Sequence, residues 1–282
     1  MAKLLVLGAG YVGQEILRIA AGAGEPCFAA SRHVSSNLER VHSLTADVTD
    51  PKSVSALRRE IGDVDDIVYA IAPGASLEEA YEQSYVTGLR HALTEFSDAR
   101  FFLISTTRVY GSRSGELIDD ETEALADDTC ADLVLEGEGL LRAAAARNVV
   151  LRASGIYGPG RTRLAESLLS QELPVEHEGV ITSRIHRDDL ARIVCFLRGR
   201  NDAGTFIASD PSPTTLGEMQ RELKSLATRL AFSPQRKPET ARARRSRSRR
   251  ILPSRLLQLG YEFLYPSFRE GYASIFTQRS ST

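Results

Sequence analysis

The stretch from Lys3 to Gly13 reads KLLVLGAGYVG, and it decides the fold. Its apolar first half predicts a strand, which runs into a G-x-G-x-x-G turn, and residues 14–20 continue with helical spacing. In such a turn Gly8 permits the tight bend, Gly10 leaves room for a phosphate group, and Gly13 lets the helix pack close to the strand. The helix N-terminus adds N–H groups that favour an anion. This order predicts a dinucleotide phosphate site; the alternative is a glycine turn that binds nothing.

The composition is that of an ordinary globular protein. The chain has 282 residues, of which 42% are hydrophobic and 26% are charged, and its net charge is −2. A charge so close to zero gives no general attraction to nucleic acid or to a membrane surface. No apolar run approaches the ~18 residues that a membrane span requires. We therefore expect neither a nucleic-acid partner nor a membrane partner.

The cysteines indicate a reducing compartment. Cys27, Cys130 and Cys195 are odd in number and widely scattered, so they form no disulfide framework and no metal-ligand spacing. The first predicted strand starts close to the beginning of the sequence, and we expect no signal peptide before it. These features predict a cytoplasmic protein without a metal site.

Strand and helix patterns alternate through the first two thirds of the chain. The predicted strands cover residues 3–7, 27–30, 44–46, 66–72, 100–105 and 149–152, and the predicted helices cover residues 14–20, 51–61, 77–96 and 131–147. An acidic loop is predicted at 116–128. Apolar strands that alternate with helices predict a parallel sheet covered on both faces, which binds ligands at the carboxyl ends of its strands.

The chain changes character after Arg152, where loop, helix and short-strand patterns mix. Residues 205–209 predict a late strand of the main sheet, and Thr215 with Glu218 forms a capping box that opens a helix. We predict a dinucleotide-binding domain at residues 1–154, completed by residues 186–210, and a smaller substrate lobe at residues 155–185 and 211–282.

Several motifs agree with one protein family. They are GAGYVG at 8–13, ADVTD at 46–50, ISTTRVYG at 104–111, LRASGIYGPGR at 151–161 and RIHRDDLA at 184–191. The chain resembles the extended short-chain dehydrogenase/reductases of the NAD-dependent epimerase/dehydratase group, and LGYEFLYPSFREGY at 259–272 resembles a subgroup of small bacterial members. The resemblance implies an α/β fold, with a Rossmann-type doubly wound parallel sheet of about seven strands and a small discontinuous C-terminal substrate lobe.

The resemblance also implies which residues hold the cofactor. Asp47 and Val48 match a pair that brackets the adenine, although Asp47 could instead form an Asx turn or a helix cap before Pro51. Residues 70–72 match a small-residue segment beside the cofactor. The predicted cofactor-binding residues are Gly8, Gly10, Tyr11, Val12, Gly13, Ser31, Arg32, Asp47, Val48, Ala70, Ile71 and Ala72.

The end of the second predicted strand favours NADP over NAD. NAD-binding proteins of this fold usually carry Asp or Glu there, to hold the ribose hydroxyls. Here the strand ends in Ala30-Ser31-Arg32, without an acid. Arg32 can pair with a 2′-phosphate and Ser31 can donate to it. The alternative for Arg32 is a solvated side chain on a surface loop.

The catalytic pattern of the family is incomplete in this sequence. Members use Tyr-x-x-x-Lys on the helix before the sixth strand, and the lysine holds the nicotinamide ribose and lowers the tyrosine pKa. Here Cys130 and Val134 fall at those two positions, and no tyrosine or lysine lies between Asp119 and Arg147. Thr106 matches the catalytic Ser/Thr of the family.

Other acids could replace the missing pair. Tyr110, Tyr157, His186 and Cys130 fall in segments that the fold brings near the nicotinamide end, and each also has a purely structural interpretation. We predict Thr106, Tyr110 and Tyr157 as the catalytic residues.

Residues 241–250 contain six arginines. They could grip an anionic group of the substrate or a nucleic-acid backbone, or form a solvated loop. No aromatic residue is interleaved with them, which argues against nucleic acid.

The sequence therefore predicts an NADP(H)-binding oxidoreductase or epimerase, with NAD as the less favoured cofactor. The predicted partner is a small-molecule substrate of carbonyl or nucleotide-sugar-like type. If the arginines at residues 241–250 bind this substrate, the substrate carries an anionic group. The alternative is a non-catalytic NADP(H) sensor or regulatory module. The sequence does not determine the oligomeric state, and a homodimer is one of the alternatives.

Overall fold

The computed structural model describes residues 2–33, 38–113, 115–171, 173–234 and 248–280. Its strands are β1 (Leu4–Leu7), β2 (Cys27–Ser31), β3 (Val41–Thr45), β4 (Asp66–Tyr69), β5 (Arg100–Thr106), β6 (Leu117–Ile118), β7 (Val149–Ala153), β8 (Gly155–Tyr157), β9 (Ile181–Thr182), β10 (Arg184–His186), β11 (Gly204–Ala208), β12 (Thr214–Thr215) and β13 (Arg250–Ile251). Its α-helices are α1 (Gly13–Gly22), α2 (Pro51–Ile61), α3 (Glu78–Tyr81), α4 (Gly88–Glu95), α5 (Thr129–Ala144), α6 (Arg163–Ser170), α7 (Val175–Glu178), α8 (Arg187–Arg198), α9 (Leu216–Arg229), α10 (Ser254–Gln258) and α11 (Phe268–Ser280). A π-helical segment, Glu82–Thr87, joins α3 to α4, and a 3-10 segment, Thr107–Tyr110, follows β5.

Seven of the described strands form one sheet in the order β11-β7-β5-β4-β1-β2-β3. Its pairs are parallel, and Leu7 at the end of β1 lies opposite Ala30 of β2 and Tyr69 of β4. From β1 the chain continues through β2 to β3 on one side of the sheet. It then returns to β4 on the other side of β1 and continues outward through β5 and β7 to β11. The carboxyl ends of β1 and β4 are therefore the switch point. The predicted Rossmann-type α/β sheet of about seven strands is confirmed.

The interior of this sheet follows from its sequence. Every residue of β1 and of β4 is buried, and all but Asp66 are apolar or aromatic, as expected for strands covered by helices on both faces. Helix α1 buries Ile16, Leu17 and Ala20, which the helical period places on one side.

Strand β4 is shorter than the sequence predicts. It ends at Tyr69 rather than at residue 72. The backbone N–H of Ala70 still donates to the carbonyl of Leu7, at 2.8 Å. Leu7 is the last residue of β1, so β1 does not pair with this segment beyond the hydrogen bond, although β5 on the other side of β4 continues to Thr106.

The predicted helix at residues 77–96 is divided by its π-helical segment. The buried Tyr69 hydroxyl donates to the carbonyl of Ser84 within that segment, at 2.6 Å. Gly88, where α4 begins, lies so close to Val48 and Tyr69 that a Cβ would be 2.6 Å from Val48 Cγ2. A widened turn of this kind is frequent at functional sites.

The chain divides into two compact units. The first comprises Met1–Gly111, Glu123–Ala153 and Leu190–Phe206, and the second comprises Ser112–Thr122, Ser154–Asp189 and Ile207–Thr282. Residues 112–122 thus belong to the second unit, whereas the sequence analysis placed them in the first. They include β6, a strand within the predicted acidic loop, which pairs with β13.

The second unit has its own aromatic core. Tyr157 stacks on Tyr272 with ring centroids 4.7 Å apart, and Phe276 stacks on Phe232 at 3.9 Å. The predicted capping box is present: Thr215 accepts from the amide of Glu218, and the Glu218 carboxylate accepts from the amide of Thr215. In the parts of the chain that the structure describes, every helix is too short or too polar to span a bilayer.

Candidate active site

The glycine turn after β1 is built around two close approaches and one opening. Gly8 has φ +93°, and a Cβ there would lie 2.8 Å from the backbone carbon and oxygen of Ala70. A Cβ on Gly13 would meet the carbonyl oxygen of Gly8 and would lie 3.0 Å from Val6 Cγ1. A Cβ on Gly10 would have no atom within 4 Å, so this position faces open space.

These features fit a dinucleotide pyrophosphate. The approach of Ala70, the residue after β4, requires glycine at position 8, and the close packing of the start of α1 on Gly8 and Val6 requires it at position 13. At the N-terminus of α1 no side chain caps the helix, since its N-cap is Val12. Tyr11 is half-buried and Val12 is buried. Residues 8–13 are thus suited to hold the phosphates.

The segment 70–72 lies beside this turn. Ala70 contacts the position of Gly8 and binds Leu7 through its amide. Ala70 and Ile71 are half-buried, and Ala72 is exposed. The structure therefore brings two of the predicted cofactor segments together at the switch point.

The end of β2 is followed by an exposed, positively charged side chain. Ser31 is its last residue and donates its hydroxyl to the carbonyl of His33. Arg32 follows and is exposed. Its positive charge reaches Asp47, where it contributes to the lowered pKa of that carboxyl.

Asp47 forms the Asx turn that the sequence allowed as the alternative to an adenine contact. Its Oδ1 accepts from the hydroxyl of Thr49 at 2.7 Å and from the amide of Thr49 at 2.9 Å. The first of these hydrogen bonds is the main reason why the pKa of Asp47 is lowered, so the carboxylate stays ionised. The alternative foreseen from the sequence is therefore present, and it occupies one of the two carboxylate oxygens.

Val48 is buried against the start of α4. Its side chain lies against the Gly88 position, and its carbonyl accepts from Nδ1 of His91 at 2.9 Å. Only 7% of Val48 is exposed.

Thr106 ends β5 at the same edge of the sheet. It is half-buried, and its Oγ1 accepts from the amide of Arg108 at 3.2 Å as the cap of the following 3-10 segment. The hydrogen bond fixes the hydroxyl oxygen, while the hydroxyl proton can still be donated.

Tyr110 is fully buried. Its hydroxyl accepts from Nη1 of Arg152 at 3.0 Å, and Arg152 binds Glu138. This burial favours the structural interpretation of Tyr110.

Tyr157 lies in the core of the second unit. It packs edge-on against His186 and stacks on Tyr272. Its burial raises the pKa of its phenol, which makes the phenolate hard to form there. His186 is buried as well, and its Nδ1 accepts from the amide of Asp188 at 3.2 Å. The contacts of Tyr157 and His186 are those of packed core residues.

Cys130 and Val134 lie one helical turn apart on α5. Cys130 is 6% exposed and Val134 is fully buried. Asp128 caps the helix by accepting from the amide of Ala131 at 2.9 Å. The helix therefore presents neither a phenol nor an amine at these two positions.

The sequence analysis missed a cluster at this edge, formed by Tyr81, Arg108 and Asp128. The guanidinium of Arg108 binds the Asp128 carboxylate, with Nη2 2.9 Å from Oδ1 and Nε 3.0 Å from the same oxygen. Nη1 of Arg108 donates to the hydroxyl of Tyr81 at 3.1 Å. Burial acts to lower the pKa of Arg108, but hydrogen bonds to Asp128 outweigh this and raise it. The three residues are far apart in sequence, and only the position of Arg108 just after β5 could have hinted at the cluster.

The arginine run falls mostly outside the described residues. Arg242, Arg244, Arg245 and Arg247 belong to that part, so the interpretations of the run stay predictions.

Comparisons with known proteins agree with this geometry. The model of the NAD dependent epimerase/dehydratase family matches residues 4–205. A Methylobacillus flagellatus protein assigned as an NAD-dependent epimerase/dehydratase is 28% identical, with a TM-score of 0.80, and the match covers 99% of this chain and 98% of that one. Among curated proteins, none matches the chain.

Two further solved structures share the fold at lower identity. The Thermus thermophilus UDP-glucose 4-epimerase in complex with NAD is 18% identical, with a TM-score of 0.78 and coverage of 98% of this chain and 99% of that one. A dTDP-4-dehydrorhamnose reductase from Clostridium acetobutylicum is 19% identical, with a TM-score of 0.75 and the same coverage. With its glycine turn, its sheet and a family match over most of its length, this chain belongs to the NAD dependent epimerase/dehydratase family.

Proposed function

We propose that this protein binds NADP(H) at residues 8–13 and acts as an oxidoreductase or epimerase on a small carbonyl or nucleotide-sugar-like substrate. The observation that carries the proposal is the open space at Gly10, between two glycines whose neighbours leave no room for a Cβ. A turn that only reverses the chain does not need all three features, whereas a pyrophosphate site does.

Arg32 supports NADP rather than NAD. It is exposed directly after the last residue of β2, and neither Ser31 nor His33 beside it is an acid. A carboxylate at this point would hold the ribose hydroxyls of NAD, whereas a guanidinium pairs with a 2′-phosphate. The Thermus thermophilus epimerase is in complex with NAD. In our proposal, the residues at the end of β2 in each protein determine which of the two cofactors it binds.

Each segment of the edge has a role in this proposal. A bound nicotinamide cofactor supplies hydride chemistry. Residues 8–13 hold its pyrophosphate, Asp47 and Val48 hold its adenine, and residues 70–72 line its path. Thr106 donates a hydrogen bond to the substrate carbonyl oxygen, which polarises the carbonyl.

The proton donor differs from the family pattern in our proposal. We place Cys130 and Val134 at the positions of the family's tyrosine and lysine, and both are buried on α5. The lysines of the chain are Lys3, Lys52, Lys224 and Lys237, so none belongs to this helix. Tyr110 and Tyr157 stay candidates from the sequence, but the burial of both argues for structural roles.

The residues at these two positions of α5 also favour a second function. If nothing replaces the buried Cys130 and Val134, the protein would bind NADP(H) without turnover and act as a sensor or regulatory module.

One experiment separates these outcomes. NADPH and NADH are titrated by fluorescence, and NADPH oxidation is then followed with a panel of aldehydes, ketones and nucleotide sugars. We expect tighter binding of NADPH and slow turnover with a subset of the panel. Binding without any turnover supports the sensor, and the absence of binding contradicts both functions.

A further inference from the structure

We propose that Tyr81 is the proton donor of this protein and that Arg108 positions it and stabilises its phenolate. The proposal rests on the proposed function, because it assigns a residue to the carbonyl chemistry there. It begins from placement: Tyr81 ends α3, which follows β4, and Arg108 lies just after β5. Both segments leave the carboxyl ends of neighbouring strands, where this fold binds its ligands.

The guanidinium of Arg108 is held from two directions. Asp128 binds its Nε and Nη2 in a forked ion pair, which fixes the plane of the group. The remaining Nη1 donates to the Tyr81 hydroxyl at 3.1 Å, and the guanidinium carbon lies 5.2 Å from the centre of the Tyr81 ring. Asp128 is itself fixed as the cap of α5.

This arrangement is chemically suited to a phenol that gives up a proton. Arginine stays protonated at any physiological pH, so Arg108 is a constant donor to the Tyr81 oxygen. When Tyr81 loses its proton, a neutral hydrogen bond becomes a charge-assisted one, which is roughly twice as strong. The Tyr81–Arg108 pair thus supplies a phenol and a cation, the two groups that α5 lacks at Cys130 and Val134.

Accessibility selects Tyr81 among the tyrosines of the first unit. Tyr69, Tyr85 and Tyr110 are buried, with at most 5% of each exposed, so none can reach a ligand. Tyr81 is half-exposed and stacks on the buried Tyr85 at 5.9 Å, which holds the ring in place. Tyr11 is the other half-exposed tyrosine, but it lies in the glycine turn assigned to the phosphates.

The step balances with the proposed cofactor. The substrate carbonyl carbon takes the hydride that a reduced nicotinamide dinucleotide supplies, and the carbonyl oxygen takes the proton of the Tyr81 hydroxyl. The product is an alcohol, and the dinucleotide is oxidised. Arg108 holds the resulting phenolate until water returns a proton, and Thr106 donates its hydrogen bond to the same substrate oxygen throughout.

The first test does not depend on turnover. Tetranitromethane nitrates phenolates, and peptide mapping by mass spectrometry gives the rate at each tyrosine. We expect Tyr81 to react faster than the half-exposed Tyr265 in the wild-type protein, and its rate to fall about tenfold in Arg108→Gln. Tyr265 and the exposed-arginine control Arg90→Gln should show no change. Equal Tyr81 rates in wild type and Arg108→Gln overturn the proposal, whatever the activity.

The second test uses NADPH oxidation with 9,10-phenanthrenequinone as the carbonyl probe. Tyr81→Phe keeps the ring and removes the hydroxyl, so kcat should fall by about 10²–10⁴-fold while the Kd for NADPH stays the same. Arg108→Gln should lower kcat, and Arg108→Lys should restore part of it. Full kcat in Tyr81→Phe overturns the proposal. Failure of the wild-type protein to bind NADPH contradicts the proposed function instead, and the nitration rates then decide the Tyr81–Arg108 pair alone.

Discussion

Arg152 and Glu138 form a forked ion pair inside the first unit. Nη2 of Arg152 lies 2.7 Å from Oε2 of Glu138, and Nε lies 3.1 Å from Oε1. The hydroxyl of Ser105 donates to the same Oε1 at 2.6 Å. Burial acts to lower the pKa of Arg152, but the hydrogen bonds and charge of Glu138 outweigh this and raise it. The pair ties α5 to β5 and β7, which carry Thr106 and the candidate site.

Glu138→Ala should destabilise the protein strongly. It leaves the buried Arg152 without a counter-charge, and breaking a buried pair in this way costs about 3–5 kcal/mol. The matched control is Glu136→Ala on the same helix, because Glu136 is exposed and makes only a 3.7 Å surface pair with Arg90. It should shift the free energy of unfolding by about 0.5 kcal/mol at most. Urea unfolding of both variants measures the difference, and equal values would show that the buried pair contributes nothing.

Arg32→Ala should weaken NADPH binding and leave NADH binding unchanged. A charge-assisted hydrogen bond to the 2′-phosphate contributes about 1.5–3 kcal/mol, so the Kd for NADPH should rise about tenfold or more. Arg59→Ala removes an exposed arginine of α2 and serves as the control. Fluorescence titration gives both constants, and equal affinities for NADPH and NADH in the wild-type protein would rule out the role of Arg32.

Asp189→Ala should loosen the loop before α11 in the second unit. Asp189 is fully buried and accepts from the amides of Leu264 and Tyr265, each at 2.8 Å. Without the carboxylate, each partly buried amide loses this partner, at a cost of about 1 kcal/mol or more. Hydrogen exchange at these two amides should therefore accelerate, whereas the control Asp188→Asn should leave it unchanged. Unaltered exchange in Asp189→Ala would mean that other contacts hold the loop.

Asp210→Asn should change how stability depends on pH. Burial raises the pKa of Asp210 well above its usual value, so the folded state binds this proton more tightly than the unfolded chain. The resulting stability is complete below the unfolded pKa, near pH 4, and is lost as pH rises through the folded pKa. Asparagine cannot ionise and can still accept from the amide of Ser212, as Asp210 does at 3.0 Å.

The variant should therefore be more stable than wild type near pH 7, and this advantage should shrink towards pH 4. Thermal unfolding across this range measures the difference. Asp63→Asn, at a side chain that is 92% exposed, is the control. An advantage that stays constant with pH would contradict the assigned role of burial.

The sheet could be predicted from the sequence because its signals are local. The run from Leu4 to Leu7 is continuously apolar, and the spacing of the glycines that follow it is typical of a tight turn between a strand and a helix. The limits of β4 were harder to foresee, because they depend on where the neighbouring strand β1 stops pairing. The π-helical segment Glu82–Thr87 has no periodic signature either, since it depends on contacts of Tyr69 and Gly88 with other elements.

The segments predicted to hold the cofactor lie at or close after strand ends, so their positions in the fold could be predicted for the same reason. The Tyr81–Arg108–Asp128 cluster could not be predicted, since it joins side chains from three segments through hydrogen bonds that no sequence spacing encodes. The hydrogen bond from Arg152 to the Tyr110 hydroxyl could not be predicted either, because it joins a buried phenol to a charged residue within an apolar strand.

The most direct measurement is NADPH titration of the wild-type protein, Gly10→Val and Gly22→Val. Both glycines face open space, but only Gly10 lies in the turn, whereas Gly22 ends α1. The account predicts that Gly10→Val abolishes binding, because its side chain fills the space of the pyrophosphate, while the far-UV circular dichroism spectrum is retained. Gly22→Val should bind NADPH as the wild type does. Undiminished NADPH binding by a folded Gly10→Val variant would show that the dinucleotide does not bind at this turn.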